Sequence, residues 1–191
     1  MMGRMRVPSL TPRLRSPRTL LRPFRPDDIA GRMRCGKDPE IIRLFGGSPA
    51  FSELVPMSLE EATAWYDAVS GDRTPLHWAV ESGGDFVGTA MLHRLSTTDR
   101  RATYAVGLLD AARLGLGLGT EITRTVLRYG FDELGLHRID LRVLAFNVRA
   151  IRCYSRCGFV EEGRERESAY VDGSWCDDVI MGVLEGEATG A

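Results

Sequence analysis

Three glycines alternate with leucines in the stretch Arg113–Thr120, directly ahead of a segment with helical apolar spacing. The absence of side chains at Gly115, Gly117 and Gly119 lets a ligand approach the backbone closely. The first N–H groups of a helix have no partner within that helix, and the helix dipole places positive charge at the same end. The stretch therefore predicts a binding site for an anion such as a phosphate group.

Two other glycine motifs are excluded by the residues of this turn. A dinucleotide-binding fingerprint needs glycine at position 120 after Gly115 and Gly117, where the chain has Thr120. A P-loop needs Gly-Lys followed by Ser or Thr, which the turn lacks. Taken alone, the turn is also compatible with a flexible loop between a strand and a helix, so the interpretation depends on a second motif.

The second motif is the pair Asn147 and Tyr154, followed by Gly158 and Phe159. Its segment is predicted to run from a strand through a short loop into a helix. Together with the glycine turn, this motif resembles the GCN5-related N-acetyltransferase (GNAT) superfamily. In that superfamily the pyrophosphate of acetyl-CoA binds the turn, an Asn at a strand end helps to fix the cofactor, and a helical Tyr lies near the CoA sulfur.

The resemblance implies an acetyl-CoA-dependent N-acetyltransferase in which the substrate amine attacks directly, without an acyl-enzyme. Tyr154 is then the expected acid, because a phenol of pKa about 10 can protonate a departing thiolate whose thiol pKa is about 8.5. A strand N–H near Val106–Leu108 is expected to polarise the thioester carbonyl. The residues expected to contact the cofactor are Val106, Gly107, Leu108, Leu114, Gly115, Leu116, Gly117, Leu118, Gly119, Thr120, Asn147 and Ala150.

The chain departs from the family pattern where relatives often carry a glutamate on the strand before the turn. Here that place falls at Thr103 or Tyr104, so the general base is open among Asp110, His93, Glu81 and water. Two alternatives to acetyl transfer follow: use of another acyl-CoA such as succinyl-CoA, or a catalytically idle CoA-binding or ribosome-associated module.

The acceptor is expected to be a primary amine of a small molecule or of a protein N-terminus. Some segments, such as Gly135–Ile139, look like the ribosomal-protein N-terminal acetyltransferases. The tail motif Asp172–Trp175 is shared with spermidine-type acetyltransferases, which also favour Tyr154. The branch therefore stays open, and the resemblance makes a homodimer possible.

Composition narrows the class of protein. The chain has 191 residues and a formal net charge of -1, which gives no argument for nucleic acid or an anionic membrane as a partner. No apolar run reaches the roughly 18 residues that span a bilayer. The four cysteines form no short metal or redox motif, so we expect reduced thiols, no bound metal and a cytoplasmic location.

Periodicity predicts an α/β fold with a mixed, mostly antiparallel sheet of six or seven strands and helices on both faces. The strands Arg101–Leu109 and His137–Ala145 are expected to be parallel neighbours joined by a crossover helix. The resemblance implies that they splay apart around the cofactor. We expect residues 1–18 to be a flexible basic leader, residues 19–185 a single domain, and residues 186–191 a tail.

Overall fold

A computed structural model describes residues 7–71 and 76–189 of the chain. Its framework is one sheet of eight strands in the order β1-β2-β3-β4-β5-β6-β8-β7. The strands are β1 Leu14–Arg15, β2 Thr19–Arg22, β3 His77–Ser82, β4 Asp85–Ser96, β5 Arg101–Leu108, β6 Arg138–Leu144, β7 Val160–Val171 and β8 Ser174–Leu184. The predicted mixed, mostly antiparallel α/β architecture is confirmed.

The parallel pair β5 and β6 interrupts the otherwise antiparallel sheet. Pairing covers only the first residues of both strands, from Arg101 opposite Arg138 to Thr103 opposite Asp140. Beyond Thr103 the two strands share no ladder, although β5 continues to Leu108. The strands therefore diverge toward their carboxyl ends, as the resemblance implied.

Within these two ranges, five α-helices connect the strands: α1 Asp28–Cys35, α2 Pro39–Leu44, α3 Leu59–Ser70, α4 Leu118–Arg128 and α5 Val148–Ser155. The crossover from β5 to β6 also holds a 3-10 turn at Ala111–Arg113 and a π-helical turn at Tyr129–Glu133. The start of α3 is fixed by a capping box, in which Ser58 and Glu61 each bond the other's backbone N–H. These side chains set the first turn of the helix without help from distant residues.

Helices cover both faces of the sheet, as expected. The larger core contains the buried side chains of α4, such as Ile122 and Val126, together with inward residues of the central strands. On the opposite face, Trp65 from α3 and Cys35 from α1 pack with Phe86 of β4. An added Cβ at Gly31 would lie 2.6 Å from Phe86, so glycine is what allows α1 to approach the strand.

The sheet begins at Leu14, earlier than Thr19, where we expected order to start, and this extra strand raises the count to eight. Ser16 and Arg18 bind Glu121 in the first turn of α4: the Ser16 hydroxyl donates over 2.6 Å, and the Arg18 backbone N–H over 2.7 Å. Trp78 donates its indole N–H to the Pro12 carbonyl. Part of the expected leader is thus attached to the domain; residues 1–6 lie outside the described residues.

Deleting residues 1–18 is therefore expected to lower the melting temperature by at least about 2 °C, since a loss of about 1 kcal/mol shifts a domain of this size by roughly 2–4 °C. The deletion removes an edge strand and leaves Glu121 without its partners. Thermal unfolding followed by circular dichroism measures the change. Glu121→Gln in the intact chain should give a smaller fall in melting temperature. If the truncated protein melts at the wild-type temperature, residues 1–18 are a flexible leader that does not stabilise the domain.

Candidate active site

A cleft of about 450 Å³ opens where β5 and β6 diverge. Directly after β5, the Leu109 N–H donates to the Val87 carbonyl of β4. In an antiparallel ladder, the backbone groups of successive residues point alternately toward the paired strand and away from it. The backbone groups of Val106 and Leu108 therefore point away from β4, toward the gap that β6 has left. Amide groups on this edge are available to a bound molecule, whereas the same edge at Ala102 pairs with β6.

The glycine turn forms one end of the cleft. Gly115 and Gly117 have φ values of 76° and 81°, in the left-handed region that side chains disfavour. Gly117 is the N-cap of α4, so the unpaired N–H groups of the first helical turn start beside it. Arg18 donates to the Leu116 carbonyl over 2.9 Å and so holds the turn from outside. This geometry suits an anion such as a pyrophosphate.

Helix α5 supplies the facing wall. Asn147 caps the helix, accepting a hydrogen bond from the Ala150 N–H over 3.1 Å. Its side-chain oxygen is thus engaged, while its amide nitrogen forms no hydrogen bond with any described residue. Tyr154 lies two turns further along the same helix and also lines the cleft. The capping bond fixes where the helix starts and therefore where Tyr154 projects.

Tyr154 is only 8% exposed and packs edge-on against Tyr104 and Phe159. Burial, with smaller effects of Cys153 and Cys157, raises the pKa of Tyr154 well above its usual range. The phenol therefore keeps its proton at physiological pH. Within the described ranges its hydroxyl has no hydrogen-bond partner, so the proton is available to a group bound in the cleft.

Eleven of the thirteen residues predicted for the site lie on the wall of this one cleft: Tyr154, Val106, Gly107, Leu108, Leu114, Gly115, Gly117, Gly119, Thr120, Asn147 and Ala150. The other two do not. Leu116 is 55% exposed and points outward, and Leu118 is 3% exposed in the core, where it anchors the start of α4. Only the backbone of these two leucines can contribute to an anion site.

The three side chains considered for the general base lie away from the described wall of the cleft. Asp110 caps the 3-10 turn by accepting from the Ala112 N–H. Glu81 accepts from the guanidinium of Arg22 over 2.9 Å. His93 belongs to β4, opposite Thr103 of β5. None of the three therefore faces a molecule bound between β5 and β6.

Cys153 lines the cleft, a position that no cysteine motif predicted. The neighbouring Cys157 thiol and, to a lesser extent, the hydroxyls of Thr120 and Thr123 lower the pKa of Cys153, although burial opposes ionisation. The same pairing raises the pKa of Cys157. The signal that the sequence offers is the spacing of four residues, about one helical turn, although Cys157 lies two residues beyond the end of α5.

We expect iodoacetamide to alkylate Cys153 with a rate whose midpoint pH lies below that of an ordinary thiol, because the thiolate is the reactive form and the pKa of Cys153 is lowered. An ordinary thiol would show its midpoint at about 8.5. Peptide mass spectrometry after timed labelling measures the rate at each pH, and Cys153→Ser identifies the labelled peptide. A midpoint at the ordinary value would contradict the lowered pKa.

The other side of the cleft is built by α2 and by the β7–β8 hairpin. Phe45, directly after α2, lies so close to β5 that a side chain at Gly107 would collide with its ring. Arg43 of α2 pairs with Asp172 at the tip of the hairpin, which ties the two together. The charged side chains on this side are Arg142, Asp178 and Arg149, which pairs with Glu40 of α2 over 2.9 Å.

In the ranges that the structure describes, no cluster of His, Cys, Asp or Glu side chains has the arrangement of a metal site. The same ranges contain no helix both long and apolar enough to cross a membrane.

The structure thus places a splayed parallel strand pair, a glycine turn at a helix start and a buried tyrosine around one cleft. Residues 18–160 match the family model described as Acetyltransferase (GNAT) domain. The chain belongs to this GNAT family and is an N-acetyltransferase.

Several known proteins are similar to the chain over much of its length. Spermidine N(1)-acetyltransferase of Escherichia coli is 25% identical over 167 residues, which are 86% of this chain and 85% of that protein. The protein named Probable N-acetyltransferase YjcK, of Bacillus subtilis, is 31% identical over 110 residues, covering 56% of this chain and 61% of YjcK.

Solved structures agree on the fold. A GCN5-related N-acetyltransferase from Brucella melitensis superposes with a TM-score of 0.79 at 20% identity, over 96% of this chain and 82% of that one. Spermidine N-acetyltransferase from Vibrio cholerae, in complex with CoA and spermine, gives 0.73 at 24% identity, over 90% and 98%.

Proposed function

We propose that the protein transfers an acetyl group from acetyl-CoA directly to a primary amine, belonging either to a small molecule or to a protein N-terminus. The observation that carries the proposal is the cleft between β5 and β6, which joins a glycine turn, free strand amides and Tyr154 in one space. The relatives that acetylate spermidine support a small-molecule amine as the acceptor.

The residues of the cleft fit an acyl-CoA. The left-handed backbone at Gly115 and Gly117 and the start of α4 suit the pyrophosphate. The free amide nitrogen of Asn147 can donate to the pantetheine arm, and the side of α5 at Ala150 leaves room for it. The similar Vibrio cholerae enzyme, whose structure is a complex with CoA and spermine, supports the same class of cosubstrate.

Each group of the site has a task in direct transfer. The amides of Val106 and Leu108 polarise the thioester carbonyl and stabilise the oxyanion that forms on attack. Tyr154, kept protonated by its burial, gives its proton to the departing sulfur. Bringing amine and thioester together in one cleft lowers the entropic barrier.

The test is release of free CoA thiol in the presence of a panel of amines that includes spermidine, amino acids, aminoglycosides and a peptide with a free N-terminus. Acetyl-CoA and succinyl-CoA are compared at equal concentration. We expect thiol release that depends on both acetyl-CoA and one class of amine. Faster release from succinyl-CoA would favour the other acyl group, and binding without release under any amine would favour an idle CoA-binding module.

A further inference from the structure

The acceptor side of the cleft carries a carboxylate with one oxygen still open. Asp178 lies on β8 opposite Leu144 of β6, is 8% exposed and lines the cleft. Its Oδ2 accepts from Arg142 over 2.6 Å and from the Ser168 hydroxyl over 3.0 Å. Its Oδ1 forms no hydrogen bond with any residue in the described part of the chain. The ion pair therefore orients the carboxylate while leaving Oδ1 to a bound molecule.

Asp140 is a useful comparison, because it is also a buried carboxylate of the sheet that binds arginine and a hydroxyl. It is 8% exposed, pairs with Arg101 and, at 3.7 Å, with Arg138, and accepts from the Thr103 hydroxyl. Its Oδ2 binds Arg101, however, and its Oδ1 accepts from Thr103 over 2.9 Å. Both oxygens of Asp140 are engaged, and its side chain lies off the described wall of the cleft. Asp140 is thus a structural ion pair, whereas Asp178 has an unused acceptor that faces the site.

The local charge favours a cation at this position. Arg142 pairs with Glu165 over 2.7 Å as well as with Asp178, so two carboxylates face one guanidinium. The remaining wall on this side is formed by the apolar residues Ile41, Leu44 and Phe45 and by Arg149, whose charge is paired with Glu40. An ammonium group would find one net negative charge and one open oxygen, with its carbon skeleton against the apolar wall.

We propose that Asp178 binds the ammonium form of the acceptor through Oδ1 and acts as the base that removes its proton. The assignment rests on the proposed acetyl transfer and adds the base that Asp110, His93 and Glu81 do not provide. It implies that the acceptor enters as a cation from the side of α2 and the β7–β8 hairpin.

The proton balance of the reaction is complete with Asp178 and Tyr154. Asp178 takes one proton as an N–H bond of the ammonium breaks, and the neutral amine forms its new bond to the acetyl carbon. The C–S bond breaks with its electron pair on sulfur, which receives the Tyr154 proton. The second proton lost by the nitrogen restores Tyr154, and the proton on Asp178 passes to solvent.

The experiment compares Asp178→Asn with Asp140→Asn, using the best amine of the panel. Each variant removes one buried carboxylate that binds a hydroxyl and at least one arginine. Asp140 has a second arginine, Arg138, at 3.7 Å, so the control bears at least the same structural cost. We expect kcat/KM for the amine to fall by about 100-fold or more at pH 7 in Asp178→Asn, and by less than about threefold in Asp140→Asn. Acetyl-CoA affinity by calorimetry should be unchanged in both.

The pH profile separates a base from a structural residue. Without the base only the neutral amine reacts. The ratio of wild-type to Asp178→Asn kcat/KM should therefore fall about tenfold for each pH unit up to the amine pKa, about 10.4 for a lysine-like amine. The wild-type kcat/KM should instead fall as pH passes the amine pKa, because the ammonium is the form that binds. The wild-type profile therefore tests whether the ammonium form binds, even if Asp178→Asn does not fold.

Equal losses in the two variants, a loss that does not change with pH, or a wild-type profile that rises to the amine pKa would each overturn the assignment while leaving acetyl transfer intact. If the wild-type protein acetylates no amine of the panel, the proposed acetyl transfer is refuted, and the role of Asp178 falls with it. That outcome is distinct from those above, in which the wild-type protein is active.

Discussion

Tyr154→Phe is expected to lower kcat by roughly 100-fold or more while leaving the affinity for acetyl-CoA nearly unchanged. The substitution removes only the hydroxyl, and the ring can still pack against Tyr104 and Phe159. The hydroxyl has no hydrogen-bond partner among the described residues, so its loss breaks no structural contact there. The change in kcat therefore reports proton transfer to the departing sulfur. Steady-state thiol release and calorimetry measure the two quantities.

Tyr104→Phe is the matched control for this prediction. Tyr104 is 2% exposed in the same aromatic cluster, but its hydroxyl is paired with Thr123 at 3.1 Å. We expect this control to cost some stability, since the buried hydrogen bond between Tyr104 and Thr123 is lost while Thr123 keeps its bond to the Gly119 carbonyl, and to retain most of the turnover. Wild-type turnover in Tyr154→Phe would return Tyr154 to a packing role and strengthen the idle-module alternative.

Gly117→Val is expected to weaken acetyl-CoA binding at least tenfold, or about 1.4 kcal/mol. A β-branched residue is strained at the φ of 81° found here, and relief of that strain would turn the first N–H groups of α4 away from the bound phosphate. Isothermal calorimetry with acetyl-CoA measures the change.

Gly135→Val controls for strain alone, because Gly135 has a similar φ of 73° and open space around it, but lies at the opposite end of the crossover. It should destabilise the fold to a similar extent and leave the affinity for acetyl-CoA unchanged. Unchanged affinity in Gly117→Val would place the pyrophosphate somewhere other than the glycine turn.

Local signals in the sequence predicted most of the fold. Alternating apolar residues predicted a sheet of six or seven strands, where the structure has eight. The capping box of Ser58 and Glu61 at the start of α3 is also a local signal, because its hydrogen bonds join residues three apart. The strand Leu14–Arg15 was not predicted, since two residues carry no period. It is held by its pairing with β2 and by bonds from Ser16 and Arg18 to Glu121, more than 100 residues away. Such contacts leave no local pattern.

The cofactor side of the site was also predicted, because it is made of contiguous motifs on one turn and one helix. The acceptor side was not. Asp178 and Arg142 come from strands that meet only in the folded sheet, and Phe45 reaches the cleft from a helix far away in sequence. The contact between the Thr120 hydroxyl of α4 and the Cys153 sulfur of α5, at 3.3 Å, likewise joins two helices. Tertiary packing, which one sequence does not display, determines all of these.

The central claim is that the acetyl group passes directly to the amine inside this cleft. Cys153 makes a sharp test possible, because its lowered pKa would also suit an acetyl-enzyme intermediate. The measurement is intact-protein mass spectrometry at short times after mixing the enzyme with acetyl-CoA, with and without the amine. Direct transfer predicts an unmodified protein in both cases, with one CoA thiol released for each acetylated amine. An acetyl group that forms on Cys153 and disappears on addition of the amine, at the rate of turnover, would contradict it.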